Sequence, residues 1–485
     1  MQQRTVKQGV PDHLEEATLD TQPATRRNRE LRINEIIGAA RQVFQEDGYA
    51  GFATRRVADR IGITHGNLQY YFRTKEELLR TTLLEHVSQI MEDYRAIANR
   101  PGIGAAKRCS TLITRIFQNI NETDLPKFMV EIWTFASHEA YVAELLNDMH
   151  AQFRSIFAKL LSEIHPTLTN EECLARAAVI SAQMDGMTLF ASNGDYPGRD
   201  HVEFVRAAKR LVKMVVSASA KMLELEAPLR RLLTRSSRRD IDAQVELFGP
   251  DGYLQPGLLD LRAQQSTRAT FHYRPTAQGK RREIKVNEII FIAANVLVME
   301  GYANFTLARV ARELGILPSV LQNYFPTHDD LLRSTIGALG QAFLDRYADI
   351  AKPSNKPALE RLCEIAAWVF EESRDPAVCR LLSEMVALAQ HSDITRETMR
   401  RVYVTYRVVY ADLIREIDSS ATARECLARA TLIAALMDGI STLAFGSQKQ
   451  PVNVDRVFEL TMAITARIAS GQIAAGNAAQ RKEIC

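Results

Sequence analysis

The chain has 485 residues, 46% hydrophobic and 25% charged, with a formal net charge of +3. This balance excludes an intrinsically disordered chain, and the length implies about three ordinary domains or two larger ones. So small a net charge argues against indiscriminate coating of nucleic acid, yet leaves room for local basic patches such as Arg26-Arg27-Asn28-Arg29 and Lys280-Arg281-Arg282. The first twenty residues hold no apolar segment that could act as a secretory signal. No apolar run approaches the roughly 20 residues of a bilayer span, so no membrane association and a cytoplasmic address are expected. The six cysteines show neither a CxxC pair nor a Cys/His metal spacing. They are expected as thiols, with no metal and no cofactor.

In chain order, residues 1–28 are polar, contain Pro11 and Pro23, and are expected to form a flexible tail. From Arg29 the spacing of Ile33, Ile36, Ile37, Ala40, Val43 and Phe44 predicts an amphipathic helix that Gly48 ends. In Ala53 to Leu79, Val57, Ala58 and Ile61 fall at helical spacing. Gly62 supplies a left-handed residue, and Thr64 can cap a second helix whose Leu68, Tyr71 and Phe72 return to the core. Two short helices joined by a Gly-containing turn form a helix-turn-helix, whose second helix meets base edges in the major groove. His65, Asn67, Gln69 and Tyr70 are then expected to point outward.

These residues resemble the DNA-binding domain of the TetR family of one-component bacterial repressors. The resemblance is carried by Gly48-Tyr49, Val57-Ala58, Gly62-Ile63-Thr64, Gly66-Asn67-Leu68, Tyr71-Phe72 and Lys75-Glu76-Glu77-Leu78. Two positions depart from the family's habit: Ala53 stands where it usually has Thr or Ser, and Gln69 where it usually has an aromatic residue. The resemblance implies phosphate contacts from Thr64, Tyr70, Tyr71 and Lys75. From residue chemistry, Asn67 and Gln69 suit adenine edges, Gly66 permits close backbone approach, and Arg55 and Arg56 reach the DNA backbone.

The stretch from Ile33 to Thr82 recurs from Val286 with roughly half its positions identical, an offset of 253 residues. Glu172-Cys173-Leu174-Ala175-Arg176-Ala177 recurs as Glu425 to Ala430, and Met184-Asp185-Gly186 as Met437-Asp438-Gly439, at the same offset. An unchanged register over such a distance implies that a whole protomer was duplicated. The expected fold is therefore all-α: two tandem TetR-like lobes, each a helix-turn-helix domain followed by a helical ligand-binding and dimerisation domain. Through Trp133, Phe135 and Asp185-Gly186 the bodies resemble the BetI-like type of TetR C-terminal domain. The boundaries are a tail at 1–28, DNA-binding domains at 29–78 and 280–331, bodies at 79–226 and 332–471, a Pro- and Arg-containing linker at 227–279, and a tail at 472–485. Helices of the first body are expected near 104–121, 124–137, 139–165, 170–193 and 199–226.

The second copy keeps the core positions but alters the reading surface. Leu317, Pro318, Ser319, Val320, Asn323 and His328 replace Thr64, His65, Gly66, Asn67, Tyr70 and Lys75, and Ala308 replaces Arg55. Its candidate DNA residues are Arg309, Pro318, Ser319, Gln322, Asn323, Tyr324 and His328. The resemblance also implies a small-molecule effector pocket in each body. Candidates are Phe128, Glu131, Trp133, Phe135, His138, Phe153, Phe157 and Met184, with Glu384, Met385, His391, Tyr406 and Met437. For most, filling the core is the plainer role. Glu131/Glu384 and His138/His391 hold a ligand's polar group or cap a neighbouring helix, with capping favoured; the Asp-Gly pairs are expected to permit close helix contact.

No P-loop, dinucleotide fingerprint or nucleophile elbow occurs, so no enzyme is expected. The expected function is a ligand-responsive repressor that binds a double-stranded DNA operator. Family members are homodimers, with the last two helices of each protomer forming a four-helix bundle and the heads about 34 Å apart. The copies are therefore expected to pair as an intrachain pseudo-dimer on an imperfect palindrome, with further self-association open. Two alternatives stand: one reading head with a dimerisation and sensing lobe, or a small-molecule-binding protein that has lost DNA binding.

Overall fold

The computed structural model describes residues 21–192, 199–232 and 279–473, and all the regular structure among them is helical. The chain divides into two compact units. The first takes in the described residues up to Asp47 and Gly51–His86; the second takes in Gly48–Ala50 and everything from Val87 onward.

The first unit is built from α1 (Thr21–Gly51), α2 (Thr54–Arg60), α3 (His65–Tyr71) and the start of α4 (Lys75–Ala98). Helix α1 begins at Thr21 rather than Arg29, so the expected tail shortens, and residues 1–20 lie outside the described residues. Ile36, Ala40, Phe44, Val57, Leu68 and Leu78 are fully buried and form its centre. Removing such side chains from water supplies about 1.5–3 kcal/mol for each large aliphatic or aromatic one.

The second unit continues through α5 (Ala105–Glu122), α6 (Leu125–Ala136), α7 (Ala140–Ile164), α8 (Asn170–Ser192), α9 (Arg199–Ser217) and α10 (Ala227–Leu232). After the undescribed stretch come α11 (Gly279–Glu300), α12 (Leu307–Glu313), α13 (Pro318–Gln322), α14 (His328–Ala351), α15 (Ala358–Glu372), α16 (Pro376–His391), α17 (Asp393–Ile417), α18 (Ala423–Ile440) and α19 (Val454–Ala469). Apart from α10, nearly all of the expected linker lies outside the described residues, as does the tail beyond residue 473.

Helix α9 stops at Ser217, short of the expected Glu226. His165 Nε2 bonds the Val216 carbonyl at 2.8 Å, and the Arg176 guanidinium donates to the Ala218 carbonyl at 2.6 Å. These side chains satisfy carbonyls that the next turn would have claimed.

The centre of the second unit is the crossing of α8 with α18. A Cβ added to Gly186 would lie 1.6 Å from the Ala435 carbonyl oxygen, and one added to Gly439 would lie 1.7 Å from that of Ala182. The two backbones touch through these glycines, the close contact that the Asp-Gly pairs predicted. The segment Ala423–Ala444 has the length and hydropathy of a bilayer span, contrary to the sequence expectation. Its apolar residues are consumed by packing instead: 72% of that window is buried, and Ala434, Ala435, Leu436 and Met437 are sealed from solvent.

Candidate nucleic-acid interface and interior cavities

In the first unit, the Gly62 φ of +67° ends α2, and Ile63 N–H donates to the Ala58 carbonyl at 3.0 Å. Thr64 Oγ1 accepts the Asn67 N–H at 3.1 Å and caps α3. At the start of α2, Ala53 offers no such bond, as its side chain dictates. Leu68 fixes which face of α3 turns inward, leaving Gly66, Asn67, Gln69 and Tyr70 exposed, Tyr70 by 74%. Arg55 and Lys75 are exposed as well, and Lys75 sits 5.8 Å from the Phe52 ring centroid. Other expected contacts have local engagements. Arg56 pairs with Asp47 at 2.8 Å, Tyr71 is half-buried edge-on to Tyr70, and half-buried His65 bonds Thr54 Oγ1 at 3.0 Å. His65 thus links α2 to α3 and does not project freely.

The corresponding stretch of the second unit folds alike, with weaker reading geometry. Gly315 has φ +66°, and Val310, Ala311, Leu321 and Phe325 are buried. Leu317 cannot cap, and α13 shrinks to five residues begun by Pro318. Leu317 is 68% and Val320 38% exposed, so apolar groups occupy the surface that Thr64 and Asn67 present in α3. Ser319, Gln322 and Asn323 remain exposed. Arg309 departs from expectation: its guanidinium is gripped by Glu300 at 2.5 and 2.9 Å and Glu313 at 2.7 Å, so it is not free for a phosphate. His328 is likewise occupied, bonding the Phe305 carbonyl at 2.9 Å. Arg282 lies over the Tyr324 ring, 4.5 Å from its centroid, and donates to the Asn323 carbonyl at 2.7 Å. The basic run at 280–282 was the only signal of that contact.

The polar residues read as holding a ligand's polar group or capping a neighbouring helix form a reciprocal pair of contacts. His391 Nε2 meets Glu131 Oε1 at 2.7 Å, and His138 Nε2 meets Glu384 Oε1 at 2.5 Å. The remaining oxygens accept backbone N–H groups, Glu131 from Tyr49 at 3.0 Å and Glu384 from Tyr302 at 3.1 Å. Each N–H follows a glycine with positive φ, Gly48 (+67°) and Gly301 (+74°). Phe135 belongs to this cluster, stacked on Tyr49 with centroids 5.5 Å apart. Phe128, Phe157, Met184 and Met437 are 2% exposed or less and fill the core, and Phe153 packs on Phe157 at 5.1 Å.

Of the pocket candidates, Trp133, Met385 and Tyr406 do line cavities. One, of about 570 Å³, is bounded by Trp133, Ser137, Cys379, Arg380, Tyr403 and Asp438 among others. A smaller apolar one of about 90 Å³ lies against Leu344, Met385, Met399, Tyr406 and Asp438. Burial pushes the Asp438 carboxyl up to about 7 despite a hydrogen bond from Tyr403. The residue 253 positions earlier, Asp185, is also raised to about 7 by burial, against the Thr442 hydrogen bond and the Arg154 charge. Beside it, His150 is pushed down to about 3 by burial and then by Arg154. Neither aspartate's chemical role could be found from sequence, since the Asp-Gly spacing signalled only packing.

A four-residue turn between two short helices, with Thr64 capping the second and Asn67, Gln69 and Lys75 exposed, has the geometry of a helix-turn-helix DNA-binding motif. Residues 36–82 match the family of bacterial regulatory proteins, tetR family, and residues 358–470 match the BetI-type transcriptional repressor C-terminal family. These two matches support a DNA-binding transcription regulator of the TetR type. Among its relatives is the HTH-type transcriptional regulator BetI of Escherichia coli (strain K12), 24% identical over 172 residues, which are 34% of this chain and 85% of that protein. BetI of Burkholderia ambifaria (strain MC40-6) is 26% identical over 163 residues, 33% of this chain and 82% of the relative.

Proposed function

We propose that the chain is a cytoplasmic, ligand-responsive repressor in which two TetR-like lobes pair within one polypeptide on an imperfectly palindromic operator. The reciprocal contacts carry this reading. Glu131 meets His391 while Glu384 meets His138, and Gly186 meets Ala435 while Gly439 meets Ala182. A two-fold interface produces this pattern, in which residue i touches j and j touches i. The two matched families support it too, since a reading head at 36–82 and a body at 358–470 stand far apart in the chain. Unequal reading faces, Asn67 and Thr64 against Val320 and Leu317, call for unequal half-sites.

Selection of bound sequences followed by footprinting tests the proposal, with native mass measurement of the complex. One chain on a site with two dissimilar halves is expected; two chains on a perfect palindrome with equal protection would refute it. A second reading, in which only the first motif contacts bases, is favoured by the capture of Arg309. Protection confined to one half-site per chain would select it.

A further inference from the structure

We propose that the chain holds one effector site rather than two, in the 570 Å³ cavity around Asp438, and that its ligand is a small protonated amine bearing a hydrogen-bond-accepting oxygen and an apolar body. This rests on the ligand-responsive reading above and names the ligand class for it.

Two residues that line that cavity each carry a buried side-chain atom with no hydrogen-bond partner: Asp438 Oδ2, an acceptor, and Trp133 Nε1, a donor. Asp438 is 9% exposed and Trp133 3%. Leaving such groups unpaired forfeits the hydrogen bonds they made to water, so a ligand that supplies a donor to one and an acceptor to the other recovers that loss. An ammonium serves Asp438 better than a neutral donor, because a buried carboxylate gains most from a charged partner. Asp438, Tyr403 and Leu382 line both cavities, so an apolar portion has the smaller one beside it. Of the positive groups on the wall, Arg374 is paired with Glu371 at 2.6 Å. Arg380 is partly exposed, where water screens it.

The counterpart position explains the count. Asp185 is already served by the protein itself: Thr442 Oγ1 donates to it at 2.7 Å, Ser181 Oγ at 3.4 Å, and His150 Nδ1 lies 3.6 Å away. Arg154, fully buried, adds its positive charge there. At the matching places around Asp438 stand Tyr403 for His150 and Arg407 for Arg154, and Arg407 lies over the Phe190 ring, 5.9 Å from its centroid. One carboxylate therefore has a built-in cation, whereas the other has the neutral Tyr403 hydroxyl and one oxygen without a partner. Trp133 comes from α6 and Asp438 from α18, so both halves of the second unit build the site.

Titration calorimetry on the full chain without DNA tests this, with 4-methoxyphenethylamine, phenethylamine and 4-methoxyphenylacetate as probes. The methoxy amine is expected to bind once per chain, the parent amine more weakly, and the acid not measurably. Asp438→Asn should weaken the amine about tenfold or more. Trp133→Phe should abolish the advantage of the methoxy group while leaving the parent amine unchanged. Thermal melts establish that both variants fold, and the wild-type stoichiometry needs neither. Two equivalents per chain, equal binding of acid and amine, an unchanged Asp438→Asn affinity, or no binding up to the solubility of the methoxy amine would overturn the proposal. A separate DNA-release measurement keeps the readings apart. An amine that binds at Asp438 and leaves DNA affinity unchanged refutes ligand-controlled repression, not the site.

Discussion

Gly186→Ala is the sharpest test of the helix crossing at the centre of the second unit. The new methyl would lie 1.6 Å from the Ala435 carbonyl oxygen, about 1.8 Å short of ordinary van der Waals contact. The obstacle is backbone, so no rotamer change relieves it, and α8 and α18 must separate. Separation by that much forfeits a large share of the dispersion energy along the crossing. Overpacking usually costs about 1–3 kcal/mol, and a backbone block belongs at or above the top of that range. Gly38→Ala is the control, because a Cβ there meets nothing within 4 Å. In that helix interior it should instead stabilise by up to about 1 kcal/mol. Both tryptophans, Trp133 and Trp368, belong to the second unit, so their fluorescence in a urea titration follows that unit. The expected result is a clearly lower midpoint for Gly186→Ala by fluorescence and none for Gly38→Ala. An unchanged midpoint for Gly186→Ala would refute the close crossing. Gly439→Ala should behave like Gly186→Ala, and the double variant should cost less than the sum, since one separation relieves both clashes.

Lys75→Ala and Arg55→Ala should each reduce the slope of log affinity against log salt by about 0.9, whereas Arg309→Ala should leave it unchanged because Glu300 and Glu313 already hold that guanidinium; fluorescence anisotropy with operator DNA at several salt concentrations reads all three. Glu131→Leu leaves the Tyr49 N–H and His391 without their acceptor, and Glu384→Leu does the same to Tyr302 and His138, so each should lower stability by about 2–4 kcal/mol in denaturant titrations. Asp438 has a folded pKa of about 7, above the roughly 3.9 of an unfolded aspartate, so the unfolded chain ionises first. Its contribution is fully present below about pH 4 and falls by up to about 4 kcal/mol as pH rises to 7. Asp438→Asn should remove that part of the slope; Asp185 keeps the same sign, and His150, held neutral down to about pH 3, has the opposite one. Melting temperatures between pH 4 and 7 measure the difference between variant and wild type.

What was legible in the sequence was local or periodic. Gly62 and Thr64 announced the turn and cap of the first motif because each acts on neighbours within three residues. The Asp-Gly pairs pointed to close packing because only a missing side chain permits it. Other features depend on residues brought together from afar. His391 and Glu131 are 260 positions apart, and no spacing rule joins them. Arg309 looked free for phosphate because its hold by Glu300, nine residues earlier, spans the turn at Gly301. The end of α9 was misplaced for the same reason: the groups that bond its last carbonyls, His165 just past α7 and Arg176 on α8, are distant in sequence.

The internal repeat also separates two kinds of position by what each touches. Glu131 and Glu384, His138 and His391, Gly186 and Gly439, Ala182 and Ala435 are identical at the 253-residue offset, and every one meets the opposite half. Changing any of them damages a contact whose partner lies in the other half, leaving a buried carboxylate unanswered or two backbones in collision. Thr64 and Leu317, or Asn67 and Val320, face solvent and carry no such obligation, so the reading surfaces were free to diverge without loss of fold. His150 lies beside Asp185 and its counterpart Tyr403 beside Asp438, so divergence gave the two carboxylates unlike neighbours. Conserved contacts between the halves beside unlike exposed surfaces are what the proposed pairing on an imperfect palindrome requires.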